Sequence, residues 1–396
     1  MTGPLRGVTV LDFTRVLAGP LATQILAELG ADVIKIERPR RGDETRTFEP
    51  RLPGGESAYF FTVNRGKRSV TLDLSSPRGQ DIARELADRA DVVVENFMPG
   101  TMDKYGLGYE ALAERNPRLV YVSSTGFGRS GPYSDRKGYD TVFQALSGIM
   151  SLTGHPDTPP AKVGVPISDM TSGLWITIAI LTGLLGRGAD GRGSHVDLAM
   201  MDVQTSLLAL AAARIFALDE DPSRTGTEHP GRVPSAAFQC ADGGWLHISC
   251  SDQHWAPLCR VLDLPELAAD PDLAANAGRL AQRGRVMAAL AAAIGRRTRH
   301  PLADELRAVD VPAGEVNSAR EALADPHTTA RGMVGSFDHP VEGEFGALRT
   351  PLRVDGRDYP EPGVPPLLGA DTEDVLTGLL GLDRADVARL REEGTV

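Results

Sequence analysis

An aspartate that opens a long uncharged run is the most chemically suggestive feature of this chain. Asp169 lies in Val163-Gly-Val-Pro-Ile-Ser-Asp-Met-Thr-Ser-Gly173, and no Lys, Arg, Asp or Glu occurs from Met170 to Gly186. If residues 174–185 form a helix, the pattern predicts burial nearly all round, with Asp169 at or just before the first turn. An aspartate so placed ordinarily caps the helix by accepting a bond from a free amide. The same place suits a nucleophile: the positive helix end favours the ionised carboxylate, and a water-excluding core strips part of its hydration. A second candidate region is Gly126-Phe-Gly-Arg-Ser-Gly-Pro-Tyr-Ser-Asp-Arg-Lys-Gly-Tyr-Asp140, a Gly/Pro-rich loop at a strand end, where α/β proteins place binding groups. The histidines show no HxxxH or HxxEH spacing, so no metal is assigned.

These residues need a scaffold, and the first hundred positions alternate strand and helix patterns as a parallel sheet requires. Strands are predicted at residues 8–13, 32–37, 69–74, 91–97 and 119–124, with helices at 20–29 and 77–89. Pro20 near the start of the first helix and Gly30 just past its end mark its boundaries. The layout is Rossmann-like, and Glu37 at the end of the second strand mimics the acid that holds a ribose in dinucleotide enzymes. Between strand and helix, however, Asp12-Phe-Thr-Arg-Val-Leu-Ala-Gly-Pro20 has one glycine where GxGxxG needs three, which disfavours an NAD(P)-dependent dehydrogenase. Further on, a strand is predicted at 194–200 and one long packing helix at 203–218. A Gly/Pro-rich linker over 221–234 leads to new strands at 237–240 and 245–249 and to helices at 254–262 and 279–296. The division expected is 1–200 for the large domain, 201–234 for a helix and linker, 235–318 for a small domain, and 319–396 for a linker and a return to the large domain. That last stretch carries short strands at 333–337 and 348–354 and helices at 372–380 and 385–392.

A length of 396 residues exceeds one ordinary core and suits two or three domains. A net charge of -11 argues against a nucleic-acid partner and leaves a small molecule as the expected one. Cys240, Cys250 and Cys259 have neither CxxC spacing nor a neighbouring His pair and read as reduced thiols, consistent with the cytoplasm. No signal peptide is evident at the N-terminus, and residues 174–185 are shorter than a spanning helix, so no membrane partner is expected.

With these pieces in place the sequence resembles the family III CoA-transferases (the CaiB/BaiF family) nearly end to end. The matching stretches are Leu11-Asp-Phe13 with Val16-Leu-Ala-Gly-Pro20, Gly30-Ala-Asp-Val-Ile-Lys-Ile-Glu-Arg38, Gly42-Asp-Glu-Thr-Arg46, Asn64-Arg-Gly-Lys-Arg-Ser69, Val94-Glu-Asn-Phe97 with Pro99-Gly100, and Gly126-Phe-Gly128. The family's nucleophile motif falls on Asp169. The resemblance implies an α/β fold: a Rossmann-like large domain built from both chain ends, a smaller inserted α+β domain, and an interlocked homodimer.

It also implies CoA transfer between carboxylic acids through an aspartyl-acyl anhydride and an aspartyl-CoA thioester, with acyl-CoA as a substrate and no permanently bound cofactor. Amides following Asp169 would stabilise the oxyanions. CoA contacts carried over by position fall on Val16, Leu17, Ala18, Arg38, Leu72, Asp73, Leu74, Ser75, Asn96, Phe97, Met98, Lys104, Lys137, Gly138, Tyr139 and Asp140. Arg38, Lys104 and Lys137 would meet phosphates, and the turn 16–18 would flank the adenine. Arg15 and His229 are candidates to orient an acceptor's second carboxylate. Leu17 and Ser75 depart from the glutamine and lysine of the formyl-CoA branch, which argues against oxalate and formate and for succinyl-CoA with a dicarboxylic or hydroxy-dicarboxylic acid. The racemase branch of the family, acting on 2-methylacyl-CoA, carries His-Asp where this chain has Tyr139-Asp140, and tyrosine is a poor base near neutral pH.

Overall fold

The computed structural model describes residues 3–353 and 360–396. The chain divides into two compact units, one comprising Met1–Ile149, Lys162–Leu218 and His327–Val396, the other Met150–Ala161 and Asp219–Pro326.

The first unit is built on six parallel strands: β1 (Thr9–Asp12), β2 (Asp32–Glu37), β3 (Arg68–Thr71), β4 (Val92–Glu95), β5 (Val120–Thr125) and β6 (Ser194–Ala199), in the spatial order β3-β2-β1-β4-β5-β6. This is the Rossmann order, with strand ends gathered where the order reverses between β1 and β4. The central strands β1, β4 and β5 are buried nearly throughout because both faces of the sheet are covered there. Leu11, Ile34, Val93 and Tyr121 face one layer, which includes Ile82 of helix Pro77–Ala87 together with Val375 and Leu390 of the C-terminal helices. Their neighbours Val10, Val33, Val92, Val94, Val120 and Val122 face the other, made by helices Ala18–Glu28 and Ile167–Asp190. The C-terminal helices Thr372–Leu380 and Arg384–Glu392 therefore complete the first unit's core.

Two helical expectations in the first unit need correction. Helix Ile167–Asp190 has 24 residues, begins earlier than predicted and is buried along one stripe only. Ile176 and Ile180 are buried, whereas Leu174, Trp175 and Ile178 are about half exposed and Leu185 is 80% exposed. A helix lying on a sheet presents one face to it, and an uncharged opposite face is not thereby covered by its own chain. By length and composition alone, Ile167–Gly188 could cross a membrane. The helix expected at 203–218 is two, Met200–Ser206 and Ala209–Leu218, bent by 61° at the break. The second is not a packing helix within this chain, since none of its residues is buried and Phe216 is 87% exposed.

The second unit contains the antiparallel sheet β7 (Ser235–Gln239), β8 (Trp245–Ser249) and β9 (Ala313–Glu315), covered by helices that include Asp252–Val261, Arg283–Ile294 and Arg299–Arg307. Phe238, Ile248, Trp255, Leu258, Leu290 and Leu302 fill its core. The three cysteines are free, buried thiols. The main segment of this unit runs from Asp219 to Pro326, and the unit also includes Met150–Ala161, which was expected in the large domain. The helix expected at 279–296 is likewise two, Asn276–Ala281 and Arg283–Ile294.

Near the C-terminus, hairpin β10 (Val334–His339) and β11 (Gly343–Leu348) belongs to the first unit. The strand expected at 348–354 is displaced, because the ladder ends at Leu348, and residue 354 lies outside the described residues.

Candidate active site

Asp169 is the third residue of its helix, not its cap. The residue preceding the helix, Pro166, offers no side-chain acceptor, and the cap comes from Asp140, 29 residues before Asp169. Asp140 Oδ1 accepts the amides of Ser168 (2.8 Å) and Asp169 (3.3 Å), and its carbonyl accepts the Ser168 hydroxyl (3.1 Å). Gln144 holds Asp140 by donating to Oδ2 at 2.6 Å while its own Oε1 accepts the amide of Val163 at 2.9 Å. With the free amides taken, no donor among the described residues reaches the Asp169 carboxylate.

The electrostatic consequence reverses the expectation of a carboxylate held firmly ionised. Burial first, and then the charge of Asp140, push Asp169 up to about 7. Nor are the amides after it free for oxyanions, since that of Met170 bonds to the Pro166 carbonyl.

Asp169 lines a cleft of about 400 Å³ together with Val16, Leu17, Ala18, Asn96, Phe97, Met98, Lys137, Gly138 and Tyr139, all expected from the sequence. Glu44, Pro99, Gly126, Ser134 and Arg136 of the quoted stretches also line it, and so do Ser124, Thr125 and Met200, which had not been named as site residues. A second cleft of about 480 Å³ collects Arg38, Leu72, Asp73, Leu74 and Ser75. The expected CoA contacts thus fall into two groups, joined by Arg15 and Phe97, which line both. The turn 16–18 belongs with the carboxylate, in the opposite group from Arg38. Lys104 is exposed and lines neither cleft, and His229 lies in the second unit, where its Nδ1 accepts the amide of Gly231.

The turn 14–18 owes its shape to charges buried beneath it. Val16 has φ of 68°, a conformation that a β-branched residue adopts only when its surroundings impose it. Asn96 accepts the Arg15 amide and donates to the Arg15 carbonyl, both at 2.9 Å, while Asp43 Oδ1 lies 3.4 Å from the Val16 amide. Lys35 donates to Asp43 (2.9 Å) and to the carbonyl of Thr14 (2.8 Å). Lys67 donates to Asp12, Pro20 and Asn64. Glu37 accepts both Nε and Nη2 of Arg46, the Ser69 hydroxyl and the Asp43 amide, which leaves it no part in holding a ribose.

Across the cleft the loop 126–138 is anchored on Phe143, whose fully buried ring would meet a Cβ at Gly126 or Gly138 within 2.7 Å. Only glycine lets both strands of the loop approach the ring so closely. Tyr59, in the apolar helix Ala58–Val63, lines neither cleft but feels the charge of Asp169. Burial and then the field of Asp169 push its phenol up to about 12, so it stays a neutral donor.

Residues 5–372 match the sequence pattern of CoA-transferase family III. The chain belongs to CoA-transferase family III. It is 37% identical over 393 residues to succinyl-CoA:glutarate CoA-transferase of Homo sapiens, covering 99% of this chain and 90% of that protein. Acetyl-CoA:oxalate CoA-transferase of Acetobacter aceti is 40% identical over 369 residues, covering 92% of this chain and 93% of that protein. The crystal structure of a CaiB/BaiF family protein from Brucella suis superposes with a TM-score of 0.85 at 40% identity, covering 96% and 100% of the two chains. The chain is therefore an enzyme that transfers CoA between an acyl-CoA and a carboxylic acid, and a parallel Rossmann-like sheet carries its first unit.

Proposed function

We propose that this family III CoA-transferase works through Asp169 as a covalent nucleophile. The observation that carries the reading is an unsatisfied carboxylate in a cleft. A carboxylate raised to about 7 is a better nucleophile than an ordinary one and is still about half ionised at neutral pH. A carboxylate oxygen attacks the acyl carbon of the thioester, the C–S bond breaks, and an aspartyl-acyl anhydride and CoA thiolate result. The thiolate then attacks Cγ of Asp169, releasing the donor acid and leaving an aspartyl-CoA thioester. The acceptor carboxylate attacks Cγ in turn and expels the thiolate, which takes the acceptor's acyl group and restores Asp169. Tyr139, 73% exposed and lining the cleft, is placed to donate to an acyl oxygen, and Lys137 and Arg38 supply charge for the phosphates. CoA enters as a substrate and no resident cofactor is invoked.

Succinyl-CoA is the proposed donor and a dicarboxylic acid the acceptor. The names of two relatives support that class, one specifying glutarate and the other oxalate, so oxalate belongs in the acceptor set despite Leu17 and Ser75. A homodimer with interlocked subunits is proposed because helices Ile167–Asp190 and Ala209–Leu218 leave Leu174, Trp175, Leu185, Leu210 and Phe216 exposed, apolar side chains that a partner subunit would cover. The second unit is proposed as an inserted domain, and a cytoplasmic location is proposed on the three free, buried thiols.

Hydroxylamine added to enzyme incubated with succinyl-CoA should convert Asp169 to its hydroxamate, seen by peptide mass. An unmodified Asp169 during continued turnover would sink the nucleophile assignment. Rapid exchange of the α-proton of a 2-methylacyl-CoA in deuterium oxide, with no acyl exchange, would replace transfer by racemisation.

A further inference from the structure

The two clefts of the first unit are separate in most of their lining and share Arg15 and Phe97. Arg15 is fixed unusually well for a cleft arginine. Its guanidinium lies 4.4 Å over the Phe97 ring, and its backbone is held on both sides by Asn96. Among the described residues no carboxylate forms an ion pair with it. The nearby Asp43 is committed to Lys35 and Thr45, and the exposed Glu44 acts on it only at a distance. Its nearest like charge is Arg38, in the larger cleft. A half-buried cation without a counterion, beside a second cation, is a site waiting for an anion.

We infer that Arg15 binds the diphosphate of CoA where the ligand passes from one cleft to the other. The inference rests on the functional reading above. In CoA the diphosphate separates the nucleotide from the pantetheine arm. A ligand with its thioester at Asp169 and its nucleotide beside Arg38 and Leu72 must carry that doubly charged linker across the wall the clefts share. A planar guanidinium stacked on an aromatic ring is preorganised to give a diphosphate two parallel bonds, which a lysine cannot do.

The experiment compares CoA with pantetheine, which lacks the diphosphate, by calorimetric and competitive binding to the full chain and to its Arg15→Gln and Arg15→Lys forms. Arg15→Gln should weaken CoA by about tenfold to hundredfold while changing pantetheine by less than about twofold, and Arg15→Lys should recover part of the loss. An equal loss for both ligands would mean that Arg15 only holds the turn, overturning the assignment. Unchanged CoA affinity with a raised KM for dicarboxylic but not monocarboxylic acceptors would overturn it in favour of an acceptor site. Wild-type enzyme that binds neither ligand would overturn the functional reading itself, which the other outcomes leave standing.

Discussion

Two sets of buried carboxylates in the first unit have opposite fates. Asp12 accepts Thr14, Thr23 and Lys67, and Asp43 accepts Lys35 and both groups of Thr45. Burial alone would raise both, but the lysines and hydrogen bonds outweigh it and hold them below the usual carboxylate range. Asp169 is partly removed from water, receives no donor and feels the charge of Asp140, and it rises to about 7. The difference separates holding from reacting. A carboxylate whose lone pairs are all occupied can shape a strained turn, whereas one left unoccupied can attack carbon.

Removing Asp169 should break that contrast most strongly. Asp169→Asn should lower kcat by about a thousandfold or more, roughly 4 kcal/mol in the barrier, with CoA affinity little changed. The same change should stabilise the fold at high pH. A carboxylate raised in the folded state costs nothing below its ordinary value of 3.8 and its full penalty above about 7. Urea midpoints at pH 4 and pH 8 should therefore diverge, with the variant ahead by roughly 2 kcal/mol at pH 8 after allowance for solvent screening. Equal midpoints at both values would mean that Asp169 is as well satisfied as Asp12.

The network should respond in the opposite direction. Lys35→Met leaves Asp43 buried and uncompensated and should cost about 3 kcal/mol or more in urea unfolding, while adding Asp43→Asn should restore at least half. Because Asp12, Glu37 and Asp43 are held below their ordinary values, the stability they provide is present above about pH 4 and is lost as pH falls through their folded values. A double variant no better than the single one would show that Asp43 has a second role.

The smallest effect sharpens the cause of the shift. Asp140→Asn keeps an oxygen for the Ser168 and Asp169 amides but removes the like charge, and burial remains the larger cause. The acidic limb of kcat/KM, expected near pH 7 because Asp169 must lose its proton to attack, should move down by less than about one unit. A midpoint that stays fixed or rises would remove Asp140 from the account of Asp169.

The strand runs and the apolar helix that Asp169 opens were legible in the sequence, because each depends on neighbours within one or two turns of chain, whereas the isolation of that carboxylate depends on Asp140, 29 residues away. Asp32-Val-Ile-Lys-Ile-Glu37 read correctly as a strand, since its apolar pattern is local. What Lys35 and Glu37 do was not legible. They look like ordinary strand charges until the fold brings Asp43, Arg46 and Ser69 against them.

Sequence alone determined the parallel α/β architecture, its family and which carboxylate opens the apolar helix. Only the tertiary structure decided that Asp140 caps that helix, that burial and then the charge of Asp140 raise Asp169, and that Arg15 stands where two clefts meet. The reason is physical: propensity and periodicity act over a few residues, whereas a buried group's pKa and partners depend on every charge and donor that folding brings within a few ångströms, however distant in the chain.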